Sequence, residues 1–562
     1  MSRSPTLFAG SQESFRAEPL HALAPPQTAA DTEAQNRGIS HKVGHFHLVT
    51  SQSLVTPAVL HHRYKGSGTN DDPFLAEFIP ADPRNPMHFS QFKKWSITLM
   101  VSFATLAVAF CSSAYSAAIK QVIDEFHCSE EVSILGTSLF VLGFALGPLL
   151  WAPMSELYGR QVLFIGTYAM LTTFNAGAAG ANNVATLVVL RFLAGAFGSS
   201  PLTNAGGVIA DMFPANERGL GMSVFASAPF LGPAIGPIVG GFVGETIGWR
   251  WVEGIMAIFT GTLCIAGALY VPETYAPVIL QKRAAALSKL TGRTYISILE
   301  KKQGRKTPAQ AFKIALLRPW ALLFTELIVF MISVYMAILY GTLYMLFGAF
   351  PIVFQQVRGW SQGVSGLAFC GVAVGFALGV VYSMFDNRRY VRVERQAPGG
   401  EAPPEARLPA AMVGAVALPI GMFWFAWTCF PSIPWIVSII GSAPFAFGMV
   451  LVMLSGMNYL IDSYTIYAAS VLAANSVLRS LFGTAFPLFT TQMYGNLGVH
   501  WASSLPAFLT VACLPFPFLF YKYGEKIRMK CKYSARAHEM MQQMRKAEHE
   551  DEDVSEKEEE AI

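Results

Sequence analysis

From Trp95 onward the chain is a succession of apolar runs, each about 18–27 residues long. A helix rises about 1.5 Å per residue, so each run can cross the ~30 Å of hydrocarbon in a bilayer. Twelve runs fall near 95–118, 132–151, 162–180, 184–208, 220–243, 252–271, 320–346, 363–382, 410–430, 434–454, 466–489 and 504–521. Charge is correspondingly scarce. Asp, Glu, Lys and Arg make up 14% of the 562 residues, against about 25% in ordinary soluble domains. The polar residues gather in the first 94 positions and in a tail that closes on "KAEHEDEDVSEKEEEAI". This distribution predicts an all-α polytopic membrane protein with twelve transmembrane helices in two six-helix bundles.

Five segments follow. Residues 1–94 read as a cytoplasmic, largely disordered tail, rich in Ser, Pro, His and Gln without sustained periodicity. Residues 95–271 form an N-terminal bundle, 272–319 a cytoplasmic central loop, 320–523 a C-terminal bundle, and 524–562 a charged cytoplasmic tail. Lys and Arg set the orientation. With both termini inside, the inner loops hold Arg160, Arg218, about ten basic residues in 272–319 and five in 386–409. The outer loops hold only Lys120, Arg250 and Arg358. The second span of each half carries the same pentapeptide, "GFALG" at Gly143–Gly147 and Gly375–Gly379, before a charged inner loop. That placement favours two related bundles, although so short a match in Gly- and Ala-rich helices also arises by chance.

Ionisable residues within a bilayer cost about 2.5–3.5 kcal/mol each on insertion scales and need a reason. Arg191 in span four, Glu326 in span seven and Arg479 in span eleven are such residues. Each is either one side of a structural interhelical pair or part of a water-lined path. On the second reading Glu326 is the proton carrier, tuned by Arg191, and Arg479 holds a polar or anionic part of a substrate. Tyr335, Tyr340 and Tyr344 in span seven offer aromatic surface with hydroxyl handles. Tyr467 and Asn475 lie on the polar stretch that leads into and through span eleven. Packing between helices and the lining of a cavity both account for them. At the inner loops, Glu156 and Arg160, then Asp211, Glu217 and Arg218, then Asp386 and Arg388 combine acids with arginines. They are either solvated loop charges or a network that latches the inner face. The seven cysteines are scattered with no metal-ligand spacing, so no metal site is expected. No Walker A, HExxH, GxSxG or dinucleotide motif occurs, and nothing suggests nucleic-acid binding.

Several stretches resemble the major facilitator superfamily, and more narrowly the fungal twelve-span drug:proton antiporters. "RFLAGAFG" in span four is similar to a superfamily motif whose arginine is implicated in proton coupling, which here is Arg191. "GPAIGPIVGG" in span five resembles the antiporter motif G-x8-G-x3-G-P-x2-G-G. Gly232, Gly236, Pro237, Gly240 and Gly241 fit it, and Ser223 stands where the first Gly belongs. The loop motif G-x-L-a-D-R-x-G-R-R/K aligns with Ala152–Gln161. Glu156, Gly159 and Arg160 match in kind, while Ala152, Leu157 and Gln161 depart. "PETYAP" (Pro272–Pro277) and "YLIDSYTIYAAS" are similar to the fungal branch in particular. Gly348 stands where many members carry an acid.

The resemblance implies proton-coupled export of a small organic compound (a drug, toxin or secondary metabolite), without a cofactor, by a protein that works as a monomer in the lipid bilayer. The plasma membrane is the expected site, the vacuole the alternative. A transporter of a polyamine or organic acid is the nearest alternative function, and a non-transporting receptor or scaffold a remote one. The glycines of span five are expected to face span eight and hold the outer side shut.

Overall fold

The computed structural model describes residues 44–214, 217–304, 307–397, 402–537 and 539–541. Residues 1–43 of the tail expected to be disordered lie outside this set, as do 542–562. Ten continuous helical stretches among the described residues are long and apolar enough to cross a membrane. The last, Trp435–Arg528, is interrupted twice. One break is the short turn Thr465–Tyr467. The other is Gly498, whose φ of 74° lies in the left-handed region that favours glycine. This stretch therefore holds three crossings.

The spans are α1 (Gln91–Ala114), α2 (Glu130–Tyr158), α3 (Arg160–Ala179), α4 (Val184–Met212), α5 (Arg218–Ile247) and α6 (Trp249–Tyr270) in the first half. In the second half they are α7 (Leu327–Phe350), α8 (Gln362–Gln396), α9 (Leu408–Thr428), α10 (Trp435–Tyr464), α11 (468–497) and α12 (499–528). In the first half α1 packs on α5, α2 on α4 and α3 on α6. In the second α7 packs on α11, α8 on α10 and α9 on α12, so the pairing repeats six helices later. The halves meet along α2–α11 and α5–α8.

Three prolines, Pro229, Pro233 and Pro237, lie inside α5 without ending it. In lipid, surrounding helices can satisfy the backbone groups a proline frees. The small-residue face of α5 packs differently from the expectation. Gly232, Gly236 and Gly240 lie on α1 of their own bundle, where a Cβ at Gly232 would sit 2.6 Å from that of Ala109. Contact with α8 comes from the next positions round the helix. Gly241 meets Gln362 and Gly363, and the Pro237 carbonyl meets Gly366. The period of four was legible, but it serves the interior of one bundle first.

Two boundaries also differ. Residues 44–94 are folded at the face that carries the central loop. The strand β1 (Phe74–Ala76) pairs in parallel with β2 (Tyr295–Ser297) of that loop. Buried Asp82 pairs with Arg283 of the loop helix Ala276–Thr291. Arg84 is fully buried and donates to the Glu273 carbonyl at 3.0 Å; burial pushes its guanidinium down to about 10. Such long-range pairing leaves no local periodicity to read. Span seven, expected from residue 320, starts at Leu327. Pro308–Thr325 is a separate helix with a Thr307–Gln310 capping box and Pro308 in its first turn.

Candidate functional site

Arg191 projects from α4 into the closed interior of the first bundle, with no solvent exposure. Its guanidinium lies 3.4 Å from the carboxylate of Glu253 on α6, which is equally buried. It also donates to the Cys111 carbonyl of α1 at 3.0 Å and the Gly136 carbonyl of α2 at 3.1 Å. The rings of Tyr115 and Phe140 cover it, 4.8 and 4.5 Å from the guanidinium carbon. Four helices thus converge on one cation, and its counter-charge is Glu253. Neither Glu253 oxygen has a hydrogen-bond partner among the described residues. Glu253 is four residues into α6, about 6 Å from the helix end on the face opposite the central loop.

Glu326 is not that partner. It sits at the break between the helix Pro308–Thr325 and α7, at the loop-bearing face. It is buried and accepts hydrogen bonds from the Tyr464 hydroxyl at 2.9 Å and the Tyr533 backbone N–H at 3.0 Å. The expectation of a mid-membrane acid tuned by Arg191 is corrected by these contacts. Glu326 clasps the segment after α12, and another buried acid, Glu253, is the one that faces Arg191. Sequence reading missed Glu253 because it falls at the second residue of the expected span, where a charge looks interfacial.

A different cluster forms where the halves touch. The Tyr344 hydroxyl on α7 meets the Ser112 hydroxyl on α1 at 2.7 Å, bridging the bundles. Tyr340, one turn away, donates to Tyr344 at 3.4 Å. Arg479 of α11 lies over the Tyr340 ring, 4.8 Å from its centre. Gly483 lets that ring and Val141 of α2 approach α11. The Arg479 Nε is buried with no hydrogen-bond partner among the described residues. The other residues expected here face elsewhere. Asn475 donates to the Met336 sulfur at 3.0 Å, inside the second bundle. Tyr335 packs edge-on against Phe516 of α12. Tyr467 packs against Tyr533 and lies under Arg318 at the loop-bearing face.

The charges expected to latch the inner face form separate clusters at the loop-bearing face. Arg160 lies 3.5 Å from Asp211, bonds Ser155 and covers the Tyr275 ring. Its backbone N–H and that of Gln161 donate to the carboxylate of Glu273, at 2.9 and 3.1 Å. Glu273 thereby caps the N-terminus of α3, a place where a carboxylate meets free N–H groups and the positive helix end. It is the acid of "PETYAP", a motif whose physical role the sequence alone did not disclose. Gln161, the departure from the loop motif, binds the Val49 carbonyl and Gln52. Glu217 accepts from Gln91, and Arg218 donates to the Ala210 and Phe213 carbonyls. Glu156 is exposed at the end of α2. In the second half Asp386 pairs with Arg389, while Arg388 is exposed beside Phe385. Arg407 pairs with Asp462 at 2.8 Å. Arg160–Asp211 and Arg407–Asp462 are counterparts, each joining the loop after the second or eighth span to the end of the fourth or tenth.

The halves are tied at the opposite face. Glu245 at the end of α5 accepts from the Gly363 N–H at 2.6 Å and the Ser361 hydroxyl at 3.0 Å, capping the start of α8. Glu130 and Glu131 at the start of α2 accept from Thr491 and Gln492 of α11. Both interfaces between the halves therefore carry carboxylate ties at the same end.

A family model described as Major Facilitator Superfamily matches residues 101–487. The chain belongs to the major facilitator superfamily. Among curated members of this superfamily it is 62% identical over 520 residues to the MFS-type efflux pump MFS2 of Trichophyton rubrum, covering 92% of this chain and 87% of that protein. It is 59% identical over 514 residues to the multidrug transporter mdrA of Aspergillus fumigatus, covering 92% and 84%. Major facilitator-type transporter sorT of Penicillium rubens is 58% identical over 486 residues, with 86% and 93% covered. The solved proton:xylose symporter XylE shares the fold at a TM-score of 0.54 and 17% identity, covering 77% of this chain and 96% of that one. As a superfamily member the chain is a membrane transporter rather than an enzyme.

Proposed function

We propose that this protein exports a small organic compound by proton-coupled alternating access, with the loop-bearing face in the cytoplasm of a fungal cell. The Lys and Arg bias of the loops supports that orientation, and the similar efflux pumps and multidrug transporter support the direction of transport. The plasma membrane is the proposed location, and one chain supplies both bundles and the site between them.

The observation that carries the reading is the contrast between Arg191, paired with Glu253 and bonded to two carbonyls inside one bundle, and Arg479, which stands between the bundles with no acid beside it among the described residues. Cargo enters from the cytoplasm and binds around Arg479, Tyr340, Tyr344 and Ser112. The outer face opens when the Glu245 ties to α8 and the Glu130 and Glu131 ties to α11 part. A proton then reaches Glu253 over about 6 Å from that face. Its protonation removes the counter-charge of Arg191 and shifts the cation onto its remaining acceptors, the Gly136 and Cys111 carbonyls. The next residue on α1 is Ser112, which touches Tyr344, so the change is delivered to the bundle contact and favours cargo release. Return to the inward state carries the proton inside.

Substrate-dependent proton movement tests this directly. Pyranine trapped in proteoliposomes reports lumenal pH while a panel of small aromatic compounds of different charge is added. Protein-dependent proton flux with at least one compound is expected, above that in empty vesicles. Compound efflux that ignores an imposed pH gradient overturns the reading.

A further inference from the structure

We infer that the cargo is an organic anion, a flat aromatic or conjugated compound whose carboxylate sits on Arg479; this rests on the transport reading above and names the substrate class of that same site. A guanidinium inside a membrane protein is normally held by an acid or by several carbonyls. Arg191 has both. Arg479 has neither: no acid or carbonyl binds it among the described residues, its Nε is buried and unbonded, and its guanidinium lies over the Tyr340 ring. An Arg fork presents parallel N–H groups that match a carboxylate two to two. The missing partner is therefore an anion, and no described residue supplies it.

The surroundings specify the rest of the ligand. Tyr340 and Tyr344 have ring centres 4.9 Å apart, and Phe347 packs edge-on against Tyr344. They form an aromatic wall beside the charge, suited to a flat apolar body. The hydroxyls of Tyr340, Tyr344 and Ser112 run in a chain along that wall and can donate to the second carboxylate oxygen or to a ring substituent. An ammonium finds no acceptor of opposite charge there. The acid buried among the helices of the first bundle, Glu253, is committed to Arg191. The site is thus built against cations as well as for anions.

Three probes of one shape separate the cases: naphthalene-2-carboxylate, naphthalene-2-carboxamide and 2-naphthylmethylammonium. Equilibrium binding to the full-length protein in detergent, read by scintillation proximity with tritiated carboxylate and by competition with the other two, uses no proton gradient. It therefore succeeds or fails independently of the coupling test above. The carboxylate is expected to bind at least about tenfold more tightly than the amide, and the ammonium more weakly than either. Arg479→Gln is expected to remove the tenfold preference while leaving amide affinity within about twofold. Arg479→Lys keeps the charge without the fork and is expected to retain preference for the anion at reduced affinity. Equal binding of the three probes, preference for the ammonium, no measurable carboxylate binding at millimolar concentration, or equal loss of carboxylate and amide in Arg479→Gln overturns the inference.

Discussion

Arg191 and Arg479 both lie within spanning helices, and the protein holds them in opposite ways. Arg191 is saturated: an acid, two carbonyls and two aromatic rings surround it, all from one bundle. Arg479 stands where the bundles meet, over a single ring, with an unbonded Nε. A saturated buried charge depends on its partners, so any change to them is felt by the whole bundle. An unsaturated one is held in reserve for something that arrives. The comparison separates the machinery that senses a proton from the surface that meets cargo.

The largest effect that would break this comparison lies at Glu253. Glu253→Ala leaves Arg191 charged and unpaired in a dry interior, and should destabilise the protein by about 3–5 kcal/mol, read as a lowered midpoint in thermal unfolding. The double variant Arg191→Met, Glu253→Leu removes both charges and should recover most of that stability while abolishing the response to a pH gradient. Recovery of coupling along with stability would make the pair merely structural.

A smaller effect is expected at the ties on the face opposite the central loop. Glu245→Ala removes a carboxylate that caps α8, a loss of about 1–2 kcal/mol for a partly exposed charged hydrogen bond. That shifts the open-to-closed ratio of this face by about 5–30-fold. Spin labels at Ile247 and Val364 in a cysteine-depleted background should show the longer distance population growing. An unchanged distribution would remove Glu245 from the gate.

The smallest effect sharpens the contrast. Arg479→Gln should change unfolding stability by less than about 1 kcal/mol, because no acid is left behind. A loss comparable with that of Glu253→Ala would mean that Arg479 has a structural partner after all.

Much of this was legible before any coordinates. Twelve apolar runs fix the class of fold, and the repeated "GFALG" agrees with helix pairings that recur six helices on. Arg191 and Arg479 stand out because charge is expensive in lipid. Their partners did not stand out. Glu253 lies too near a span end for its depth to be evident, and Glu326 was placed in a span by an apolar run that in fact contains a helix break. Hydropathy reports how apolar a window is, not where a helix turns. Tyr335, Tyr340 and Tyr344 look alike in sequence, yet Tyr335 faces the bundle interior and the other two face the interface. That choice is made by the rotation of α7 against α11, which one sequence does not encode locally. Glu273 and residues 44–94 act over separations of more than a hundred residues, beyond the reach of any periodicity.

The central claim, that Glu253 with Arg191 carries the coupling while Arg479 meets the cargo, is tested most directly by Glu253→Gln in proteoliposomes. Substrate exchange at equal pH on both sides is compared with accumulation driven by an imposed pH gradient. The account predicts that Glu253→Gln keeps equal-pH exchange and loses gradient-driven accumulation. Gradient-driven accumulation at the wild-type level in Glu253→Gln would contradict it.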